Sequence, residues 1–327
     1  MHSFVSRPPR PALRARARFA ALALAALWVL APSGASAWCL WNCDYTKTKY
    51  PVILAHGAAG FDSLFGVLDY WFGIEGALED GGANVFVTQV SPLNTPVVRG
   101  EQLLDQVEQV VAITGKPKVN LIGHSQGGLD TRYVAAVAPG LVASVTTVGS
   151  PHKGSSAASF ITGNALPGGG FTSALVGLLG NSLGAILNLL SGSSNPNDAV
   201  AALQFLTPQA MAAFNAQYPN GVPTTACGAG ASSVGGIRFY SWTGNVTLTN
   251  VLDVSDPILA VASLTLSGAN DGLVEVCSAK FGQVIRDNYW MNHLDEVNQV
   301  LGLVSIFESN PKTVFRAHAN RLKNAGL

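Results

Sequence analysis

The chain has 327 residues, of which 48% are hydrophobic and 12% are charged, so it is long enough to bury a sizeable core. Its 19 basic residues balance its 19 acidic residues, and nothing in this balance points to a nucleic-acid partner.

The first 37 residues have the features of a secretory signal peptide. Five arginines between residues 7 and 18 precede an apolar run, 19–31, and the small residues Ala35-Ser36-Ala37 follow. The run is too short to span a bilayer comfortably, so we predict cleavage before Trp38, secretion and no permanent membrane anchor. Cleavage removes five basic residues and no acidic one, which leaves 14 against 19 and a formal charge of −5.

Four cysteines in an exported chain indicate disulfides more than metal ligation. Cys39 and Cys43 lie in the new amino terminus, where a small local disulfide is favoured over free or intermolecular thiols. Cys227 and Cys277 are 50 positions apart, and closing a loop of that size stabilises a fold by about 4 kcal/mol in the chain-entropy model.

Apolar periodicity predicts strands that alternate with helices through the first half of the mature chain. The predicted elements, in chain order, are strand 50–56, helix 61–79, strand 84–90, helix 101–113, strand 119–122, helix 129–138 and strand 145–148. Such alternation at short-loop spacing predicts an α/β fold, in which helices cover both faces of a mostly parallel sheet. We expect a single domain over residues 38–327.

The alternation stops at residue 154, after which no charged residue occurs before Asp198. Within this stretch, residues 174–190 combine a small, polar helical face with a wide leucine-rich face. A buried core helix is one interpretation. Glycine- and serine-rich flanks can act as hinges, and the other interpretation is a lid insertion over about 155–197 that covers an apolar site.

The sequence Gly123-His124-Ser125-Gln126-Gly127 stands between a predicted strand and a predicted helix. This is the order that a nucleophile elbow needs, because glycines keep the sharp turn free of Cβ clashes and the serine is held at its tip. We therefore predict that Ser125 is a nucleophile.

A serine nucleophile needs a histidine that accepts its proton. Downstream of Ser125, the candidates are His152, His293 and His318. His152 comes too early to leave room for an acid loop, and His318 lies in a basic tail where we expect a solvated surface residue. His293 follows an apolar run and precedes a predicted helix, 294–307, and is the best candidate for the base.

The acid of the triad should lie between the serine and the histidine, at a strand's carboxyl end. Asp198, Asp253, Asp256 and Asp271 are the candidates. Asp271 occupies a tight turn after the apolar stretch 258–266, which favours it, although an ordinary turn aspartate is the alternative. The oxyanion hole is predicted at the backbone N–H groups of Gln126 and Ala58, with His56 orienting the loop and transferring no proton.

Nine stretches spread over the chain from about residue 50 to the end resemble the secreted triacylglycerol lipases of the Pseudomonas and Burkholderia type. They are YPVILAHG, DYWFGI, RGEQLL, KVNLIGHSQGG, RYVAAVAP, SPHKGS, ANDGLV, RDNYWMNHLDEVNQVLGL and HANRLKN. The resemblance implies an α/β-hydrolase fold, a Ser125–Asp271–His293 triad and a Cys227–Cys277 disulfide.

The same resemblance implies a structural calcium ion. Its ligands would be the carboxylates of Asp253 and Asp295 and the backbone carbonyls of Gln299 and Leu303. Hard oxygen ligands suit Ca²⁺, and Asp295 lies two residues after His293, so the ion would hold the histidine loop in place. Lipases of this type are also folded by a membrane-anchored, lipase-specific foldase before secretion from the periplasm.

Two features depart from the family pattern. Ala58 replaces a larger methionine or leucine, which puts the acyl chain-length preference in doubt, and the segment 38–43 is an added extension. We therefore expect an extracellular triacylglycerol lipase that forms an acyl-enzyme and acts at an oil–water interface. A short-chain esterase or an aliphatic polyester hydrolase on the same triad is the close alternative, and a binding protein on an inactive hydrolase scaffold is the distant one.

Overall fold

A computed structural model describes residues 43–58, 63–64, 68–165 and 198–327. The predicted signal peptide (1–37), Cys39 and residues 166–197 of the predicted lid insertion lie outside these ranges. Within the described ranges, no helix is long and apolar enough to cross a membrane.

The fold is built on a seven-stranded sheet in the order β4-β1-β5-β6-β8-β7, with β9 also paired to β8. All pairings are parallel except that of the short β7 with the start of β8. The strands of this sheet are β1 Val52–Ala55, β4 Val85–Thr88, β5 Val119–His124, β6 Val142–Val148, β7 Ser233–Val234, β8 Ile237–Gly244 and β9 Gln283–Tyr289.

Helices pack on both faces of the sheet, as the predicted α/β-hydrolase fold requires. They are α1 Ile74–Glu79, α2 Pro96–Thr114, α3 Gln126–Val137, α4 Ser156–Ala165, α5 Ala199–Phe205, α6 Pro208–Gln217, α7 Asp256–Ser263, α8 Val276–Ala279, α9 Gln299–Gly302 and α10 Pro311–Asn324. The described residues also form two 3-10 turns, Pro139–Leu141 and Asp295–Val297.

Strand β1 shows why the apolar runs form a central sheet. Its four side chains are all buried and alternate between two cores. Val52 and Leu54 pack in the core that contains side chains of α1 and α10, whereas Ile53 packs with α2 and α3. The parallel register then brings the carboxyl ends of β1, β5, β6, β8 and β9 to one edge, where the loops that carry the site begin.

The structure differs from three expectations about local structure, which are a helix over the whole of 61–79, a strand implied at 258–266 and a helix over 294–307. Among the described residues of 61–79, Ile74–Glu79 alone form a helix, and two short antiparallel strands, β2 Ser63–Leu64 and β3 Leu68–Asp69, precede it. The apolar stretch 258–266 is not a strand but belongs to helix α7 and the turn after it, because its apolar side chains pack at helical spacing.

The third is the helix predicted after His293. Residues 294–307 form a 3-10 turn, the short α9 and an irregular segment, because Asn298, Val300 and Leu301 adopt positive φ angles of 61°, 54° and 59°. Left-handed residues break the helical hydrogen-bond ladder.

The disulfide implied by the family resemblance is present. Cys227 is bonded to Cys277 on α8, with their Cα atoms 4.5 Å apart. The bond fastens α8 to the loop before β7, and the next residue, Ser278, hydrogen-bonds the Gly154 carbonyl at 2.5 Å. Cys43 is also disulfide-bonded.

Candidate active site

Ser125 lies at the tip of a strained turn between β5 and α3. Its backbone has φ 52° and ψ −126°, a conformation that side-chain-bearing residues rarely adopt. A Cβ at Gly123 would collide with the Gly127 carbonyl, and a Cβ at Gly127 would collide with the Ala55 carbonyl of β1. Both glycines are therefore needed, and the turn is the predicted nucleophile elbow.

His293 and Asp271 are brought together, as predicted. The His293 Nδ1–H donates to Asp271 Oδ2 at 2.7 Å, and the His293 backbone N–H donates to the Asp271 carbonyl at 2.9 Å. Asp271 Oδ1 accepts from the backbone N–H groups of Leu273 and Val274 at 2.9 and 2.7 Å. Since Nδ1 carries the proton toward a fixed carboxylate, Nε2 of the neutral ring is left as a proton acceptor.

His124, the residue before Ser125, connects His293 to the loop of residues 56–58, which we call the oxyanion loop. Sequence reasoning missed this role. Its ring lies 4.6 Å from that of His293, centroid to centroid. Because a carbonyl only accepts, His124 Nε2–H donates to the His293 carbonyl at 2.9 Å. Its Nδ1 then accepts from the Tyr70 hydroxyl at 2.6 Å, and that hydroxyl accepts from the Gly57 N–H at 2.9 Å. Burial holds the His124 pKa well below its usual range, so the ring is neutral.

The oxyanion loop is held from behind by His56. Its Nδ1–H donates to the Gly57 carbonyl at 2.8 Å, and its Nε2 accepts from the Val90 N–H at 3.2 Å. Burial first, and the Arg99 charge second, lower the His56 pKa to about 3. With both ring nitrogens hydrogen-bonded to backbone groups, His56 ties the oxyanion loop to the segment that follows β4.

Arg99 is a second support that sequence reasoning missed. This fully buried guanidinium forms an ion pair with Asp130 at 2.8 Å. It also donates to the carbonyls of His56 at 2.7 Å and of Ser91 at 2.5 Å. Burial raises the pKa of Asp130 to about 6. One guanidinium thus joins α2, α3 and the oxyanion loop.

Glu296 lies beneath the base and is a third residue that sequence reasoning missed. Its Oε1 accepts from the Thr243 hydroxyl at 3.0 Å and from the Gly244 N–H at 2.5 Å. Its Oε2 lies 3.6 Å from His124 Nε2. Burial, and then the negative charge of Asp271, raise the Glu296 pKa well above its usual range. Burial therefore disfavours the charged form of this carboxyl.

An apolar cavity of about 120 Å³ opens beside Ser125. Ala58, one of the predicted oxyanion donors, contributes to its wall, and Gln126 follows Ser125 as the first residue of α3. The larger apolar side chains that line the cavity are Leu93, Leu203, Leu206, Leu273 and Val274. The cavity suits the hydrocarbon part of an ester better than a charged ligand.

The two carboxylates among the predicted calcium ligands fit the chemistry of a hard cation. Asp253 Oδ2 and Asp295 Oδ1 are buried carboxylate oxygens without a hydrogen-bond partner among the described residues. The neighbouring Asp256, in contrast, has both oxygens satisfied by Thr249, Asn250 and Asn292. Two unsatisfied hard oxygens in a buried site match the donor set of Ca²⁺.

Electrostatics in the same region also favour a cation. Burial raises the pKa of Asp295 to about 7, with the charges of Asp253 and Asp256 adding to it, and burial raises the Asp253 pKa as well. Gln299 and Leu303 flank the left-handed pair Val300 and Leu301, which turns the backbone sharply between the two predicted carbonyl ligands.

The two rejected histidines are both buried structural residues. His152 hydrogen-bonds Thr147 at 3.0 Å and stacks on Phe281. The prediction that His318 is solvated is wrong, because α10 packs it against Trp242, where it hydrogen-bonds Thr146 at 2.7 Å. Burial lowers its pKa to about 3.

Comparison with known proteins agrees with this geometry. Residues 50–285 match the alpha/beta hydrolase fold family. The chain is 51% identical over 296 residues to a triacylglycerol lipase of Vibrio cholerae, covering 90% of this chain and 94% of that one. It is 44% identical over 318 residues to a triacylglycerol lipase of Burkholderia plantarii, covering 86% and 88%.

Among solved structures, a lipase of Bacillus licheniformis superposes with a TM-score of 0.58 at 20% identity, over 84% of this chain and 93% of that one. At that identity the likeness concerns the fold alone. On the family match and the two closely similar sequences together, the chain belongs to the alpha/beta hydrolase fold family and, within it, to the bacterial triacylglycerol lipases.

Proposed function

We propose that this protein is a triacylglycerol lipase that hydrolyses the ester bonds of lipids through an acyl-enzyme. The observation that carries the proposal is the position of Ser125, at the tip of a strained elbow and in the wall of an apolar cavity. The relatives named triacylglycerol lipase support the substrate class.

In the first half of the reaction, Ser125 attacks the ester carbonyl and His293 Nε2 takes the hydroxyl proton. Asp271 holds the ring by its Nδ1–H and stabilises the imidazolium that forms. The backbone N–H groups of Ala58 and Gln126 donate to the developing oxyanion. His293 then gives its proton to the leaving glyceride oxygen, and the acyl group stays on Ser125.

In the second half, water attacks the acyl-enzyme while His293 again takes a proton, and the same two N–H groups hold the second oxyanion. His293 then returns this proton to Ser125 Oγ as the bond between the acyl carbon and Oγ breaks, and release of the fatty acid restores the enzyme. The described apolar side chains beside the serine support an acyl chain lying along Leu203, Leu206 and Leu273.

The carboxylates of Asp253 and Asp295, with the backbone carbonyls of Gln299 and Leu303, would hold a calcium ion. When bound, the ion supplies positive charge that compensates the buried carboxylates and cross-links two loops; it takes no part in bond cleavage. Because Asp295 is two residues after His293, this cross-link would keep the base in register with Asp271.

Removal of calcium is expected to destabilise the protein more at pH 8 than at pH 5. Without the ion, Asp295 has a folded pKa of about 7, above its ordinary 3.8, so folding takes up a proton between these values. The free energy of unfolding of the calcium-free protein therefore falls as pH rises from about 4 to 7 and stays low above pH 7. We expect a chelator to lower Tm by more than about 5 °C at pH 8.

Differential scanning calorimetry with and without chelator checks this expectation, and Asp253→Asn is the matched variant. The variant should show a reduced chelator effect at pH 8. An equal chelator effect on Asp253→Asn and on the unsubstituted protein would contradict the ligand assignment.

Export and assisted folding are part of the proposal. The amino-terminal arginines and apolar run support secretion through the periplasm to the medium, and the family resemblance supports a lipase-specific foldase as folding partner. The substrate would be a lipid or ester at an oil–water interface.

Initial rates on an emulsified long-chain triglyceride and on a soluble short-chain ester test the function, using foldase-refolded protein with calcium. We expect strong long-chain activity that falls by at least about 10⁴-fold in Ser125→Ala. Activity confined to the soluble ester would indicate an esterase or an aliphatic polyester hydrolase. Unchanged turnover in Ser125→Ala would place the active site elsewhere.

A further inference from the structure

Two loops beside the candidate active site carry an unusual number of exposed apolar side chains. We call this surface the apolar rim. Its members are Leu248, Val251, Leu252, Val254, Leu301, Ile306 and Phe307. Ile306 and Phe307 are 85% and 81% exposed, and each rim residue is more than half exposed. A cluster of large apolar side chains in water marks a surface that binds something.

The two loops of the rim are held to each other. The Asn250 side-chain amide donates to the Val304 carbonyl at 3.1 Å. Trp290, which is half exposed, points its indole N–H to the Leu248 carbonyl at 3.5 Å. The rim is thus one surface, with a tryptophan at its edge, and amphipathic indole rings favour the boundary between water and lipid.

The two loops of the rim contain no exposed charge, and the partly exposed Arg286 at their tryptophan edge is paired with Glu308 at 2.6 Å. Residues 245–274 contain three charged residues, Asp253, Asp256 and Asp271, and all three are buried. Residues 297–307 contain none. A partner recognised through acidic or basic groups would find no complementary charge here, whereas a neutral lipid surface requires none.

The rim and the cavity beside Ser125 lie at the same edge of the sheet. The loops of the rim follow β8 and β9 at this edge, where Ser125 follows β5. Helix α7 follows the first loop and packs on the acid loop, where a Cβ at Gly272 would lie 2.8 Å from Leu259 Cβ. The next two residues, Leu273 and Val274, line the cavity.

We propose that the apolar rim is a preformed docking surface for neutral lipid, which seats the enzyme on a glyceride surface with its cavity facing the lipid. The proposal rests on the lipase function proposed above and adds to it a fixed contact, separate from the predicted lid insertion. Burial of the rim side chains in the lipid supplies the binding free energy.

Binding of a catalytically inactive protein tests the proposal without hydrolysis of the surface. The probe is a triolein emulsion coated with phosphatidylcholine, and the parent protein carries Ser125→Ala. Ile306→Ser with Phe307→Ser removes the two most prominent members of the second loop. Ile113→Ser is the matched control, because Ile113 is 71% exposed on α2, at the opposite edge of the sheet.

We expect the double variant to bind the emulsion at least about tenfold more weakly than the parent, and the control to bind as the parent does. Val251→Ser with Leu252→Ser on the first loop should repeat the loss, so a folding defect in one variant does not decide the outcome. When Ser125 is retained, turnover of a soluble ester should be unchanged in both double variants.

Unchanged emulsion binding in both double variants would overturn the proposal, as would an equal loss in the Ile113→Ser control. A dimer that the rim substitutions dissociate, with unaltered emulsion binding, would make the rim an interface between copies and would also overturn it. If the proposed lipase function is wrong, the unsubstituted enzyme will not hydrolyse the long-chain triglyceride, and this result is independent of the rim variants.

Discussion

Replacement of His293 by glutamine is expected to lower kcat on a soluble ester by about 10⁴- to 10⁶-fold. Glutamine keeps a polar amide near Asp271 but cannot take a proton from Ser125. The ring is buried and its partners are few, so we expect a loss of about 1–2 kcal/mol in the free energy of unfolding. Steady-state kinetics and urea unfolding measure the two effects separately.

A combined Ser125→Ala, His293→Gln variant provides the control. Residues that act as one unit are not additive, so the combined variant should be about as slow as either single variant. Multiplied losses would contradict a joint role, and a loss below about tenfold in His293→Gln would mean that another base serves Ser125.

Replacement of Arg99 by methionine is expected to destabilise the protein by about 3–5 kcal/mol and to lower kcat as well. The substitution leaves the buried Asp130 without its counter-ion and removes the donors to the carbonyls of His56 and Ser91. Since the oxyanion loop then loses one of its two supports, we expect kcat to fall by about 10²-fold.

The double variant Arg99→Met, Asp130→Leu separates the two effects. Apolar replacement of both ion-pair partners removes the uncompensated charge and should recover part of the stability. Recovery of kcat is not expected, because the carbonyls of the oxyanion loop still lack Arg99. Full recovery of kcat together with stability would show that Arg99 serves the fold and not the loop.

Local features of the sequence were enough to predict the elbow and the sheet. Gly123 and Gly127 reveal the turn because a Cβ at either position would collide with neighbouring backbone. The continuous apolar run of β1 reveals a strand buried on both faces, because its alternate side chains enter two different cores. Chain order limited the acid of the triad to four aspartates, and the tight turn and the family resemblance selected Asp271, which pairs with His293.

Tertiary packing alone decided the rest, since the contacts involved join residues far apart in the chain. His318 belongs to a basic stretch that looks solvated, yet α10 buries it against Trp242. Tyr70, His124 and His293 form a hydrogen-bond chain across more than 200 positions, and no local pattern announces it. The sequence by itself thus determined which residues can do the chemistry, because the steric limits of the elbow and the order of the triad can be read along the chain. The tertiary structure decided which buried groups hold these residues in place, because those contacts join distant residues and burial shifts the pKa values of the groups.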